Sequence, residues 1–364
     1  MAIYDLSDSN FRKIFDCKEL QLPIVWDGED FASTVNELFD FYLKKVEKEL
    51  PLLMPKTIKE MYIIKDIRKV CKKIKRTIEC YFNGYPFDAY FELENIMSFL
   101  MQNDSFDNQK MSFGKGSISK DLNLFRAVKV GDQDIYDMGR VFHIPFDLRS
   151  KVSSSRYSIA GFPSLYLGTN LTLCCEEINY EHNKGFALAS RFNAGENVYS
   201  PRIRIIDLSI KPSDLYLNNS EDKSNNINAV FSKCSDTEKD NFRTNYLLWY
   251  PLIAVCSYVH SKKEDPFAAE YIVPQLLMQW IRKNKRYTNE ILGIKYFSCA
   301  SKKAADMGYN YVFPVLKQDF WNKQRYCPIL SQAFRLTKPK HISKYTSIAD
   351  CEAALNKETL FNFY

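Results

Sequence analysis

The stretch Ser155-Arg156-Tyr157-Ser158-Ile159-Ala160-Gly161-Phe162-Pro163-Ser164-Leu165-Tyr166-Leu167-Gly168, continuing Thr169-Asn170-Leu171-Thr172-Leu173-Cys174-Cys175-Glu176-Glu177, reads as a loop, a short buried strand, a tight turn and a helix. Leu165 and Leu167 fall on one side of the strand and Tyr166 on the other, because side chains alternate along extended backbone. Thr169 or Asn170 can cap the helix that follows. Strand, turn and helix in succession bring a cation, an aromatic ring and a carboxylate close together in sequence. That set suits a charged, ring-bearing ligand and the stabilisation of a sugar cation.

On either side the texture divides. Residues 29–102 read as helical, with Phe31, Val35, Leu38, Phe39 and Tyr42 at three- and four-residue spacing. After Pro51 and Pro55 a second pattern starts at Ile58, in which Ile67, Val70, Cys71 and Ile74 oppose a basic face of Lys65, Arg68, Lys69, Lys72, Lys73, Lys75 and Arg76. A further helix is expected over Phe87–Met101. The polar stretch Asn103–Lys120 marks a boundary. Beyond it, Leu122–Val128, Arg140–Phe146, Leu165–Leu167, Arg202–Leu208, Gly293–Ser298 and Tyr309–Phe313 read as strands. Helices are expected over Tyr246–Tyr258, over Gln275–Lys285 behind Pro274, and around Ile348–Leu355. Ser213–Thr244 is polar and reads as an exposed insertion. The expected division is a helical domain over 1–118, an α+β domain over 119–340 and a tail over 341–364.

Bulk properties set outer limits. A chain of 364 residues, 46% hydrophobic and 26% charged, can bury a large core, which excludes wholesale disorder. The net charge of +6 is compatible with an anionic small molecule or a nucleic acid and diagnostic of neither. The ten cysteines contain no CxxC pair, and Cys71, Cys80 and Cys256 sit among Lys, Leu and Ile, so reduced thiols are expected. His143, His182, His260 and His341 are too far apart for a local metal motif, and no metal is expected. Met1-Ala2-Ile3-Tyr4-Asp5 does not read as a signal peptide, and no apolar run reaches the ~18 residues of a membrane helix, so a cytoplasmic protein with no membrane partner is expected. With 12 glycines and neither a GxxxxGK[ST] nor a strand-linked GxGxxG, a bound nucleotide would be held mainly by side chains.

Four separated blocks within Leu122–Pro314 resemble the RES domain, a family named for its Arg, Glu and Ser, many of whose members are toxins that destroy NAD. They are Leu124-Phe125-Arg126-Ala127; Phe142-His143-Ile144-Pro145-Phe146; the 155–177 stretch, with Arg156 ten residues before Tyr166 and Glu177 eleven after it; and Gly293-Ile294-Lys295-Tyr296-Phe297-Ser298 followed by Asn310. The family's Gly-Gly-Arg-Trp-Asn stands here as Ser154-Ser155-Arg156-Tyr157-Ser158. The resemblance implies an α+β fold like that of ADP-ribosyltransferases, built around a split sheet. It implies NAD as substrate, with inorganic phosphate as second substrate if cleavage is phosphorolytic. Glu177 would stabilise the oxocarbenium-like state, with Glu176 its competitor. Arg126 and Arg156 would grip the pyrophosphate, Tyr166 would stack on nicotinamide, and Ser298, or Ser301, would orient the substrate. Asn310, and in a second tier Tyr271 and Gln275 from the family-like Glu270–Gln275 segment, would line the pocket. His143, between Phe142 and Ile144, reads as structural.

Three functions fit these residues. The first is an NAD-consuming enzyme, acting by phosphorolysis or hydrolysis as a toxin or defence effector. The second is an ADP-ribosyltransferase using the same cleft on a protein or nucleic acid. The third is a nucleic-acid-binding protein acting through the Lys65–Arg76 face. Because unrestrained loss of NAD would kill the host, an antitoxin or regulatory protein is an expected partner. A homo-oligomer is compatible with the sequence.

Overall fold

The computed structural model describes residues 6–26, 28, 30–50, 58–104, 112–114, 116–119, 121–131, 136–182, 184–194, 203–216, 231, 233–259, 267–283, 291–315 and 324–363. The helices are α1 (Asp8–Phe15), α2 (Phe31–Glu49), α3 (Ile58–Phe82), α4 (Pro86–Asn103), α5 (Leu171–Glu177), α6 (Asp236–Val255), α7 (Ile272–Lys283), α8 (Pro328–Ala333) and α9 (Ile348–Asn356). The strands are β1 (Gly116–Ser117), β2 (Asn123–Val130), β3 (Ser164–Gly168), β4 (Phe186–Ala194), β5 (Arg204–Leu208), β6 (Ile291–Phe297), β7 (Tyr309–Pro314), β8 (Phe334–Leu336), β9 (Lys340–His341) and β10 (Phe361–Asn362). The protein is α+β, and its contacts divide it into two units: Met1–Gly116 with Asp207–Trp280, and Ser117–Ile206 with Ile281–Tyr364.

This division differs from the one expected along the sequence. Residues 207–280 join the amino-terminal helices because α6 is buried along most of its length, from Phe242 to Val255, and a helix apolar all round must be surrounded by protein. A capping box of Ser235 and Glu238 starts it. Tyr246 and Tyr250 pack on Phe15, with ring centroids 5.6 and 4.9 Å away, and Tyr42 lies 4.6 Å from Tyr250. Each hydroxyl is satisfied by a carbonyl: Tyr42 donates to Leu247 O (2.8 Å), Tyr246 to Ile210 O (3.0 Å) and Tyr250 to Leu20 O (3.0 Å). Arg243 is 1% exposed, donates to Leu6 O and Leu215 O, and pairs with Asp8 at 3.2 Å. Residues 217–230 of the expected polar insertion, and His260, lie outside the described residues.

The second unit is organised by a sheet of order β1-β5-β6-β7-β3-β2-β4-β8-β10, with β9 also paired to β4. Strand β2 pairs antiparallel with β4 over its whole length, from Asn123↔Asn193 to Val130↔Phe186, and β3 pairs with β7 from Ser164↔Pro314 to Gly168↔Asn310. Between β2 and β3 the one register pair among the described residues is Phe125↔Gly168. The sheet is therefore parted on one side of that point. Leu124, Leu165, Leu167, Phe192 and Phe313 belong to the core on one face; Phe125, Ala127, Leu171, Cys174 and Cys351 belong to that on the other.

Two corrections follow. Arg140–Phe146 is not a strand but two short 3-10 turns, Met138–Val141 and Phe146–Lys151. Pro145 has no N–H for a ladder, and His143 is used as a brace. Its Nδ1 donates to Ile144 O (2.8 Å), and its Nε2 accepts from Cys327 N–H (2.9 Å). Burial lowers its pKa to about 4. Residues 341–363 are not a separate tail either. Leu355 is fully buried, β10 pairs with β8, and Arg191 donates to Leu355 O and Glu358 O. The cysteines are free thiols, and no helix among the described residues is long and apolar enough to cross a membrane.

Candidate active site

Glu177 is the last residue of α5, and three local devices fix where it ends up. Asn170 caps the helix, its Oδ1 accepting from Leu173 N–H (2.8 Å) while its Nδ2 donates to Met307 O (2.6 Å). Thr169 exchanges two bonds with Tyr309, its backbone N–H donating to Tyr309 O and its Oγ1 accepting from Tyr309 N–H, both at 2.9 Å. Gly168 lets β3 turn sharply into the helix, since a Cβ there would stand 2.7 Å from Cys174 Sγ. The turn is thus stitched to the start of β7, which carries Asn310.

Asn310 pairs with Gly168 on one side and Tyr296 on the other, so Asn310 and Tyr296 share a face of the sheet. On that face Glu177 Oε1 accepts from Ser298 Oγ (2.6 Å) and from Asn310 Nδ2 (2.5 Å). Ser298 Oγ also accepts from Ala300 N–H (3.2 Å), which sends its proton toward the carboxylate. Ser298 and Asn310 are buried, at 0% and 5% exposure, whereas Glu177 is exposed. Its Oε2 accepts no hydrogen bond among the described residues. One carboxylate oxygen is anchored and the other is open.

Beside this carboxylate lies a tyrosine cluster. Tyr166 Oη is held by Ser155 Oγ (2.8 Å), Ser158 Oγ (2.9 Å) and the N–H of Tyr157 (3.3 Å). Burial raises the Tyr166 pKa, opposed by those hydrogen bonds and by Arg156. The rings of Tyr157 and Tyr296 are 4.8 Å apart. Burial pushes Tyr296 well above the usual tyrosine range, with Glu177, Tyr166 and Tyr157 adding to the effect and Arg156 opposing it. Tyr296 therefore senses both the carboxylate and the Arg156 loop.

Guanidinium groups line the backbone that leads into Tyr166. Arg149 Nη1 donates to Gly161 O (2.9 Å), Arg282 Nη2 to Pro163 O (3.0 Å) and Arg126 Nη1 to Tyr166 O (3.0 Å). The last bond falls where β2 and β3 have parted, so Arg126 satisfies a carbonyl that has lost its ladder partner. Burial lowers both Arg126 and Arg282 to about 10. Neither makes a salt bridge among the described residues, and the Nε of each is buried without a hydrogen-bond partner. Both residues are half-buried; cations partly withdrawn from water without a counter-charge are costly, and an anion relieves that cost.

Of the residues singled out from sequence, Glu177, Ser298, Asn310, Tyr166, Arg156 and Arg126 fall within this part of the second unit. Glu176 is exposed, and its carboxylate makes no hydrogen bond among the described residues. Ser301 Oγ accepts from Ala304 N–H (3.0 Å) and so caps a short turn. Tyr271 and Gln275 belong to the first unit, just before α7 and in its first turn. Sequence reading missed Arg282, Arg149 and Tyr157. Arg282 follows Trp280-Ile281 near the end of α7, where a basic residue is ordinary helix chemistry, so only the fold reveals its partial burial against Pro163 O.

No protein-family model matches the chain. It is 26% identical over 332 residues to a Bacillus subtilis (strain 168) protein named "Putative toxin YopC", an alignment that spans 90% of this chain and 70% of that one. Among solved structures, a chain of the M. tuberculosis MbcT-MbcA toxin-antitoxin complex aligns with 71% of this chain and 97% of its own at 10% identity, with a TM-score of 0.30.

Proposed function

We propose that the protein consumes NAD by cleaving its nicotinamide–ribose bond and acts as a toxin or defence effector. The observation that carries this reading is the half-anchored carboxylate. Glu177 Oε1 is fixed by two buried donors, while Oε2 of this exposed residue has no partner among the described residues. As the bond between C1′ and the ring nitrogen breaks, its electron pair goes to the nicotinamide, which leaves neutral. The positive charge left on the ribose is stabilised by a preorganised carboxylate. Water, or inorganic phosphate as second substrate, then adds to C1′, and with water the departing proton passes to Glu177.

Arg126, Arg156 and Arg282 would bind the pyrophosphate, as guanidinium forks do. Tyr166, tethered by its hydroxyl, would offer its ring to the nicotinamide. The order of Arg126, Arg156, Tyr166, Glu177 and Ser298, which resembles the RES family's, supports the reading. So does the name of the Bacillus relative, which covers most of this chain. Within the proposal, an antitoxin or regulatory protein restrains the activity in the cell.

The test is NAD turnover by the full chain, with and without phosphate, beside Glu177→Ala. Turnover that Glu177→Ala abolishes supports the reading, and a phosphate requirement makes the reaction a phosphorolysis. Label passed from NAD to a protein or nucleic acid in place of free product would make it an ADP-ribosyl transfer. No loss of NAD under any of these conditions would overturn it.

A further inference from the structure

The first unit carries a second concentration of charge that the proposed NAD chemistry does not use. A cleft of about 410 Å³ is lined by Lys65, Arg68, Lys69, Lys72 and Lys73, with Arg76 and one carboxylate, Glu92. All six cations lie on α3 and Glu92 on α4, and five of the six are exposed. Lys65, Lys69 and Lys72 make no salt bridge among the described residues. Three pairs offset the rest: Lys73–Glu92 (2.7 Å), Arg68–Glu47 (2.5 Å) and Arg76–Glu79 (3.2 Å). The latter two are solvent-exposed pairs, worth little and readily exchanged for a better anion. Like charges at this spacing repel, which favours an anionic occupant.

The spacing is as informative as the charge. Tyr62, Lys65, Lys69, Lys72 and Arg76 follow one another by three and four residues, so they form one stripe along about 21 Å of helix. Tyr62 is 57% exposed, and Lys69 Nζ lies 4.4 Å from the centroid of the Phe99 ring. A cation on nearly every turn, with an exposed aromatic ring in line, suits a ligand that repeats its negative charge along a backbone and carries flat bases. We infer that this face of α3 binds the phosphodiester backbone of a nucleic acid. The aromatic ring in the stripe favours nucleic acid over an acidic peptide, for which it has no evident use.

The experiment measures fluorescence anisotropy of a labelled 20-nucleotide single-stranded RNA and a DNA duplex of equal length with the full chain at several salt concentrations. Binding of either probe is expected to weaken steeply with salt. Reversing Lys65, Lys69 and Lys72 to Glu should lower affinity at least tenfold and flatten the salt slope by about three. Reversing Lys233, Lys344 and Lys357, which changes net charge equally, should leave most of the binding, and Lys→Arg at the three α3 positions should preserve it. Which probe binds more tightly distinguishes RNA from DNA as the source of the backbone. The inference is overturned if neither probe binds at 50 mM salt, if the two reversal variants weaken alike, or if a polyglutamate peptide binds as tightly as either nucleic acid.

Discussion

Glu177 has one carboxylate oxygen held by two donors and one held by none among the described residues, and its neighbours can be sorted by which oxygen they serve. Ser298 and Asn310 act on the anchored oxygen, so they orient the carboxylate. Ser298→Ala should lower kcat for NAD loss by about tenfold with little change in KM, whereas Glu177→Ala should remove about three orders of magnitude, as expected for lost electrostatic stabilisation of a developing charge. Steady-state kinetics on both variants checks the difference. Arg282 acts through charge and gives a prediction of double sign. Arg282→Met keeps most of the apolar stem and removes a half-buried cation that has no salt bridge among the described residues. The ligand-free protein should therefore melt at a higher temperature, since a partly desolvated charge without a counter-ion is unfavourable. The same variant should bind ADP-ribose about tenfold more weakly, through loss of charge-assisted hydrogen bonds. A melting temperature that falls, with affinity unchanged, would show Arg282 to be a structural brace.

At the scale of elements, the site depends on the β3–turn–α5 unit and on how the 138–151 segment is pinned. Asn170 caps α5 and reaches Met307 O with the same side chain. Asn170→Ala should destabilise the protein by about 1 kcal/mol and lower NAD turnover as well, because Glu177 ends the helix that the cap starts; thermal melting and kinetics read the two effects. His143 braces the 138–151 segment as a neutral imidazole with a pKa near 4. An unfolded histidine titrates near 6.5, so between those values the unfolded chain binds the extra proton. The stabilisation is full above about pH 6.5 and is lost as pH falls toward 4, by an amount on the order of 3 kcal/mol. A His143→Gln variant should flatten that part of a melting-temperature profile. The β3–turn–α5 unit was legible because Leu165 and Leu167 alternate with Tyr166 and Asn170 has cap chemistry. Strand β4 was not, because Ala187–Phe192 is buried on both faces and shows no alternation. Arg140–Phe146 alternates without being a strand, as Pro145 and the bonds of His143 explain. The resemblance of their order and spacing to the RES family singled out Arg156, Tyr166 and Glu177. The partial burial of Arg282 and the parting of β2 from β3 depend on distant segments and leave no local trace.

At the scale of the whole molecule, the chain crosses between its two units more than once, and this changes what a truncation can mean. The contrast between a helical amino-terminal half and an α+β remainder invites removal of the first 118 residues to free a restrained enzyme. Yet α6 belongs with the amino-terminal helices, and several of its polar groups find partners there. Arg243 donates to Leu6 O and pairs with Asp8, Leu247 O accepts from Tyr42, and Tyr250 donates to Leu20 O. Deleting residues 1–118 would strip those partners and expose Tyr246, Trp249 and Tyr250, each 0% exposed in the intact protein. Removing one partner of a buried charge alone costs about 3–5 kcal/mol, a large share of a typical domain's stability. The fragment 119–364 should therefore be aggregation-prone, bind a hydrophobic dye and lack a cooperative melt, and its failure to consume NAD would say nothing about restraint. Size-exclusion chromatography with near-ultraviolet circular dichroism tests this: a monodisperse, cooperatively melting fragment would show that residues 207–280 hold together without the helices they pack on. If the fragment collapses as expected, restraint has to be tested in the full chain, for which loosening α1 through Asp8→Asn is a milder perturbation than deleting its neighbours.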